Sequence, residues 1–230
     1  GWAFFHGPED TLGCAPANTF KKRSADFGTE TDGVSNTLTA VTNAMVDGLA
    51  ALQAEDQAGY TAAANTVVKN VMITYTQATM KYALKMNDAD NSEKYQAEGY
   101  AFWKVIEAYA APHTDGCYNM AVHKVFYTGD IDAATCDAFV WTNASQMENG
   151  TADTCYNTVT HQVSGDVSNE TECDGYSSMY FMEEYGAGQI SEILDLQDAT
   201  QRGTAHDISA YMTGVLAHYG ITAAELGTYA

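Results

Sequence analysis

Residues 97–117 read AEGYAFWKVIEAYAAPHTDGC, and the chain opens with GWAFFHGPEDTLGC at residues 1–14. Gly1 matches Gly99, Trp2 matches Tyr100, Ala3 and Phe4 match Ala101 and Phe102, and Phe5 matches Trp103. After a small length adjustment Pro8 matches Pro112, and Gly13-Cys14 matches Gly116-Cys117. Self-similarity in a fixed order is the mark of a repeat. It predicts two equivalent aromatic-rich helices related by an approximate dyad, each leaving through a proline into a Gly-Cys turn. A glycine inside a helix costs roughly 1 kcal/mol against alanine, so Gly99 is expected where another backbone comes close. Gly1 lacks the Ala97-Glu98 pair that precedes Gly99, which points to a chain that starts mid-repeat, as a fragment or a mature form.

Outward from that phrase, apolar residues recur at three- and four-residue steps. Leu38, Val41, Met45, Leu49 and Leu52 predict a helix over 36–54, with Ser35 or Asn36 placed to cap it. Val67, Val71, Tyr75, Ala78 and Tyr82 predict a second over 60–86. The stretch MNDADNSE breaks the pattern. A third helix over 92–111 follows, with Ser92 as its cap and Pro112 as its end. Periodicity returns at Ile190, Ile193 and Leu194 and runs to Tyr219, with Gly220 as a stop. Residues 113–180 are rich in Thr, Asn, Asp, Gly and Tyr, with short helical pieces expected near 121–127 and 133–141. The expected class is all-α, a bundle of antiparallel long helices built from two pseudo-symmetric repeats with an irregular disulfide-stapled insertion. As one domain it divides into 1–34, 35–117, the insertion 118–184 and the helices of 185–230.

The 230 residues carry 30 acids against 10 bases, a net charge of −20. Such a surface repels phosphate backbones and anionic membranes and attracts cations, so nucleic acid is not an expected partner. No apolar run reaches the roughly 18 residues of a membrane span. Sequons stand at Asn143, Asn149 and Asn169, expected glycosylation sites. Of five cysteines, Cys117, Cys136, Cys155 and Cys173 fall at near-even spacing in the same segment, and none makes a C-x-x-C. A disulfide framework in a secreted, extracellular or periplasmic protein is expected, with Cys14 as the odd cysteine, either free, bonded to another chain or paired with a missing segment. Self-association through an unpaired cysteine or a missing segment is therefore an expected partner mode.

His6 and Glu9 form an H-x-x-E, with Asp10 next to it. In the second copy His113 and Asp115 stand where Glu9 and Asp10 stand in the first. Imidazole, carboxylate and the phenols of 15 tyrosines are donors that suit ferric iron. Tyr75 and Tyr82, seven apart, share a helical face and read first as core aromatics. The expected metal-ligating set is Glu98, Tyr100, His113 and Asp115, with His6, Glu9 and Asp10 in the first copy. Asp88, Asp90 and Ser92 lack the glycine and the final glutamate of a calcium loop. No nucleophile elbow, phosphate loop or zinc-protease motif is present, and the expectation is a protein that is not an enzyme.

The phrase AEGYAFWKVIEAYAAP at 97–112, its second copy at the N-terminus and the helical pairs around it resemble the Fea-type iron-assimilation proteins of algae, which are related to phytotransferrins. That resemblance implies extracellular or periplasmic iron binding that feeds uptake, with carbonate as a co-bound anion. The competing expectation is a surface-layer or filament subunit built from repeated helical domains.

Overall fold

The computed structural model describes residues 1–7, 15–119, 124–129, 132–136, 139–142, 154–157, 163–164, 169–174 and 179–230. Glu9, Asp10, Cys14, Asn143 and Asn149 lie outside them. The described residues are mostly helical and fall into two compact units. One comprises Gly1–Glu107, Ser191–Ile208 and Tyr219–Ala230; the other comprises Ala108–Ile190 and Ser209–His218.

The first unit is helical. It begins with α1 (Trp2–His6) and α2 (Pro16–Phe27), then a small hairpin, β1 (Glu30–Thr31) and β2 (Val34–Ser35). Asp32 and Gly33 turn that hairpin at φ of 52° and 75°, the left-handed pair that a two-residue loop favours. Ser35 then caps α3 (Asn36–Gln53), accepting from the backbone N–H of Leu38 at 3.2 Å, as expected from its position. Three residues on, Asp56 caps α4 (Gln57–Lys85) through Gly59. α3 and α4 pack side by side through small residues, with Gly48 against Ala63.

Phe5, Ala17, Phe20 and Val41 form an apolar cluster, with Leu38, Met45, Val67, Val71 and Tyr75 packed on it. Beside it runs a buried line of hydroxyls. Ser24 and Ser35 lie 2.7 Å apart, both reach Thr37, and Thr74 donates to Thr37 at 3.3 Å. These groups satisfy one another, so their burial does not carry the penalty of unpaired polar atoms.

α5 (Ser92–Ala110) begins at Ser92 itself, rather than being capped by it. Trp103, fully buried, donates its indole N–H to Ser191 Oγ at 3.0 Å, and Ser191 donates to Glu107 at 3.2 Å. Gly99 meets a side chain, not the expected backbone: a Cβ there would lie 2.8 Å from Leu194 Cδ2 and 3.4 Å from Tyr82 Cβ. The copies of the repeated phrase are both helical at Trp2–His6 and within α5, and the matched Phe5 and Trp103 are both buried. Their helices differ in length, five residues against 19.

The second unit departs from an all-α chain. β3 (Asp115–Asn119) pairs antiparallel with β4 (Lys124–Gly129) and β8 (Met179–Met182). β5 (Phe139–Thr142), β6 (Thr154–Asn157) and β7 (Val163–Ser164) form another antiparallel three-stranded sheet. The helix expected near 121–127 is therefore a strand over 124–129. That near 133–141 is α6 (Ala133–Cys136) followed by β5. Aromatic and β-branched residues in KVFYTG and FVWT explain the preference for strand. α7 (Glu170–Asp174) and α8 (Tyr185–Ile193) follow, and α9 (Thr213–His218) extends a 3-10 turn at Ser209–Met212. Disulfides join Cys117 to Cys136 and Cys155 to Cys173, using four of the five cysteines. The chain ends with α10 (Ala223–Leu226), in the helical unit, opened by a capping box of Thr222 and Glu225.

Candidate functional site

α2, α4 and α5 together line a half-open cavity of about 460 Å³ in the helical unit. Ala15, Pro16, Asn18, Thr19 and Lys22 of the α2 segment line one side. Tyr75 and Tyr82 come from α4, and Ala101, Phe102 and Val105 from α5. The helical period explains the grouping: residues 15, 18, 19 and 22 recur on one face of α2, and 101, 102 and 105 on one face of α5. Phe102 stacks on Tyr82 with centroids 5.5 Å apart and planes 4° from parallel, and lies 5.8 Å from Tyr75.

Arg23 also lines the cavity, and its side chain is only 6% exposed. Its Nη2 pairs with Asp26 at 2.9 Å, and its guanidinium carbon lies 5.4 Å from the centre of the Tyr82 ring. Nε and Nη1 are buried and have no acceptor among the described residues. A buried donor left unmet costs about 1–3 kcal/mol, and more on a charged group. Asp26 is shared as well, because Lys81 reaches the same oxygen at 2.8 Å. Two cations thus face one carboxylate, and Lys22 joins Arg23 as the second cation of the lining. The cavity wall is locally positive in a chain of net charge −20.

The two phenols are shifted in the same direction. Burial raises the Tyr75 hydroxyl above its ordinary value. Burial is also the main cause for Tyr82; a hydrogen bond to Glu98 and the Glu98 charge add to it, and the Arg23 charge and a hydrogen bond with Arg23 work against it. Both hydroxyls hold their protons more firmly than a tyrosine in water.

The sequence-predicted residues fall in separate places. Glu98 acts on Tyr82 and lies 3.8 Å from Lys94. Tyr100 has Lys104 over its ring at 5.4 Å. His6 stacks on Trp2 with centroids 4.9 Å apart. These belong to the helical unit, whereas His113 and Asp115 belong to the other. There His113 stacks on His218 at 3.4 Å, and Asp115 accepts from the Glu184 N–H at 2.7 Å. Asn169 is exposed. Among the described residues, no three His, Cys, Asp or Glu side chains gather as a metal-holding group. No described helix is long and apolar enough to cross a membrane.

Sequence reasoning passed over Arg23. The signal was present, since Lys21-Lys22-Arg23 holds three of the ten bases in consecutive positions of an acidic chain. No protein-family model, no curated protein and no solved structure matches the chain.

Proposed function

We propose that the chain is an extracellular or periplasmic iron-binding glycoprotein that acts by capture rather than by turnover. The observation that carries the proposal is the Tyr82 phenol, held between the Glu98 carboxylate and the Arg23 guanidinium, in a cavity that Tyr75 also lines. Phenolate and carboxylate are hard oxygen donors, the kind ferric iron prefers. Tyr82 and Glu98 are the donors assigned here, and the carbonate implied by the family resemblance would sit against Arg23. The −20 charge concentrates cations near the surface. Two disulfides and the sequons fit an oxidising compartment outside the cytosol. The two-repeat antiparallel bundle belongs to the same proposal.

Ferric titration tests it. Expected is stoichiometric uptake with a tyrosinate-to-iron absorption band that Tyr82→Phe removes and Tyr100→Phe leaves. Because burial raises the Tyr82 phenol, binding must expel its proton. Apparent affinity therefore climbs as pH rises, by roughly tenfold per unit for one released proton. Uptake no greater than that of an equally acidic control protein refutes iron binding.

One observation favours self-association as a second reading. Val46, Leu49 and Leu52 stand 63%, 58% and 58% exposed along α3. Polymers seen by electron microscopy of metal-free protein, lost in Leu49→Asp, would support a structural subunit.

A further inference from the structure

We infer that the cavity between α2, α4 and α5 is a binding site for a small organic monocarboxylate with an apolar body. The inference goes beyond iron capture and needs no metal.

Three independent features select an anion. The buried Arg23 has two nitrogens without an acceptor among the described residues. Asp26 answers both Arg23 and Lys81, which leaves one positive charge over, and Lys22 stands on the same wall. α2 also opens at this cavity with Ala15 as its N-cap, a residue whose side chain makes no cap hydrogen bond, and Pro16 in its first turn. A helix start left in that state favours negative charge within its first turn.

Size and lining select the body. A single water occupies about 30 Å³ of liquid, so an inorganic anion would occupy only a small part of the 460 Å³. Ala15, Pro16, Ala101, Phe102 and Val105 offer an apolar surface, with the Phe102 ring for a flat group to stack on. The charge on the ligand is limited to one. Asp26 and Glu98 both border the tyrosine–arginine wall, and a second negative charge would meet their repulsion. A carboxylate accepting from Arg23, with an aryl or short alkyl body along α5, satisfies the unmet donors and covers the apolar wall.

The test uses chelator-treated protein and two probes, benzoate and hexanoate, followed by calorimetry and by amide shifts. At least one is expected to bind saturably at one site, and its neutral alcohol counterpart at least tenfold more weakly. Arg23→Gln, which leaves the Asp26–Lys81 pair in place, is expected to weaken binding tenfold or more. Ala101→Trp fills the cavity from an exposed position on α5 without touching Arg23, and is expected to abolish binding. Saturable binding by neither acid overturns the inference. So does equal binding of the alcohol, binding unchanged in both variants, or a response to bicarbonate alone. Since no metal is present, the result stands apart from the ferric titration.

Discussion

The two units of this chain hold themselves together by different means. The helical unit has long elements and large fully buried side chains, Trp103, Phe20, Met72 and Ile106 among them. Part of its polar interior is paired internally: fully buried Gln96 donates to the carbonyls of Ile193, Asp195 and Asp198 and accepts from Arg202 Nε at 2.8 Å, whereas Arg23, Thr76 and Gln77 keep buried polar atoms without a partner among the described residues. The second unit is built from strands of two to six residues in three-stranded sheets. Sheets that small gain little from their own ladders, and here each is tied by a buried disulfide at Cys117 or Cys155. Where helices supply enough apolar surface, packing suffices; where they do not, covalent closure takes its place.

Reducing both bridges is the strongest way to break that contrast. They close spans of 19 and 18 residues, each worth about 3 kcal/mol by chain-entropy arithmetic. Hydrogen exchange should then show protection lost across β3 to β8 while the amides of α3 and α4 keep theirs. Equal loss in α3 and α4 would mean that the two units do not differ in what stabilises them.

Trp103→Ala attacks the helical side. It removes the largest fully buried side chain and the bond to Ser191, and should lower stability by about 3–5 kcal/mol in denaturant titration. A loss under about 1 kcal/mol would mean that packing at this position is not what holds the unit.

The smallest expected effect is at acid pH. Burial of Glu225 opposes its charge, but contacts to Lys69 at 2.7 Å and to Thr222 outweigh it, and its carboxyl sits below the ordinary value. A depressed carboxyl stabilises the fold above its unfolded value, and that contribution fades as pH falls from about 4.5 through the folded value. Amide exchange at residues 222–226 should quicken there, and Glu225→Gln should remove the pH dependence with only a slight change at neutral pH.

Much of the helical unit could be read from residue spacing. The runs from Leu38 to Leu52 and from Val67 to Tyr82 each place apolar groups on one face, and Ser35 caps where its position predicts. The strands were harder to see. KVFYTG and FVWT are too short for a period of two to separate from a helical turn, although each pairs with a neighbouring strand, β4 with β3 and β5 with β6. Asp32-Gly33 was a legible hairpin signal that the repeat overshadowed. The candidate site was the least legible part. Glu98 was picked out, but its neighbour Tyr82 lies 16 positions away on another helix, and Arg23 lies 59 positions before Tyr82.

The sequence by itself determined where the long helices lie, the acidic surface and the cysteine-bearing segment, because these depend on local periodicity, composition and count. Tertiary structure alone decided that Arg23 is buried with unmet donors beside two tyrosines, and that the cysteines pair as neighbours in sequence. The physical reason is that hydrogen-bond satisfaction and local charge balance belong to groups brought together from different helices, and no window along the chain contains them all.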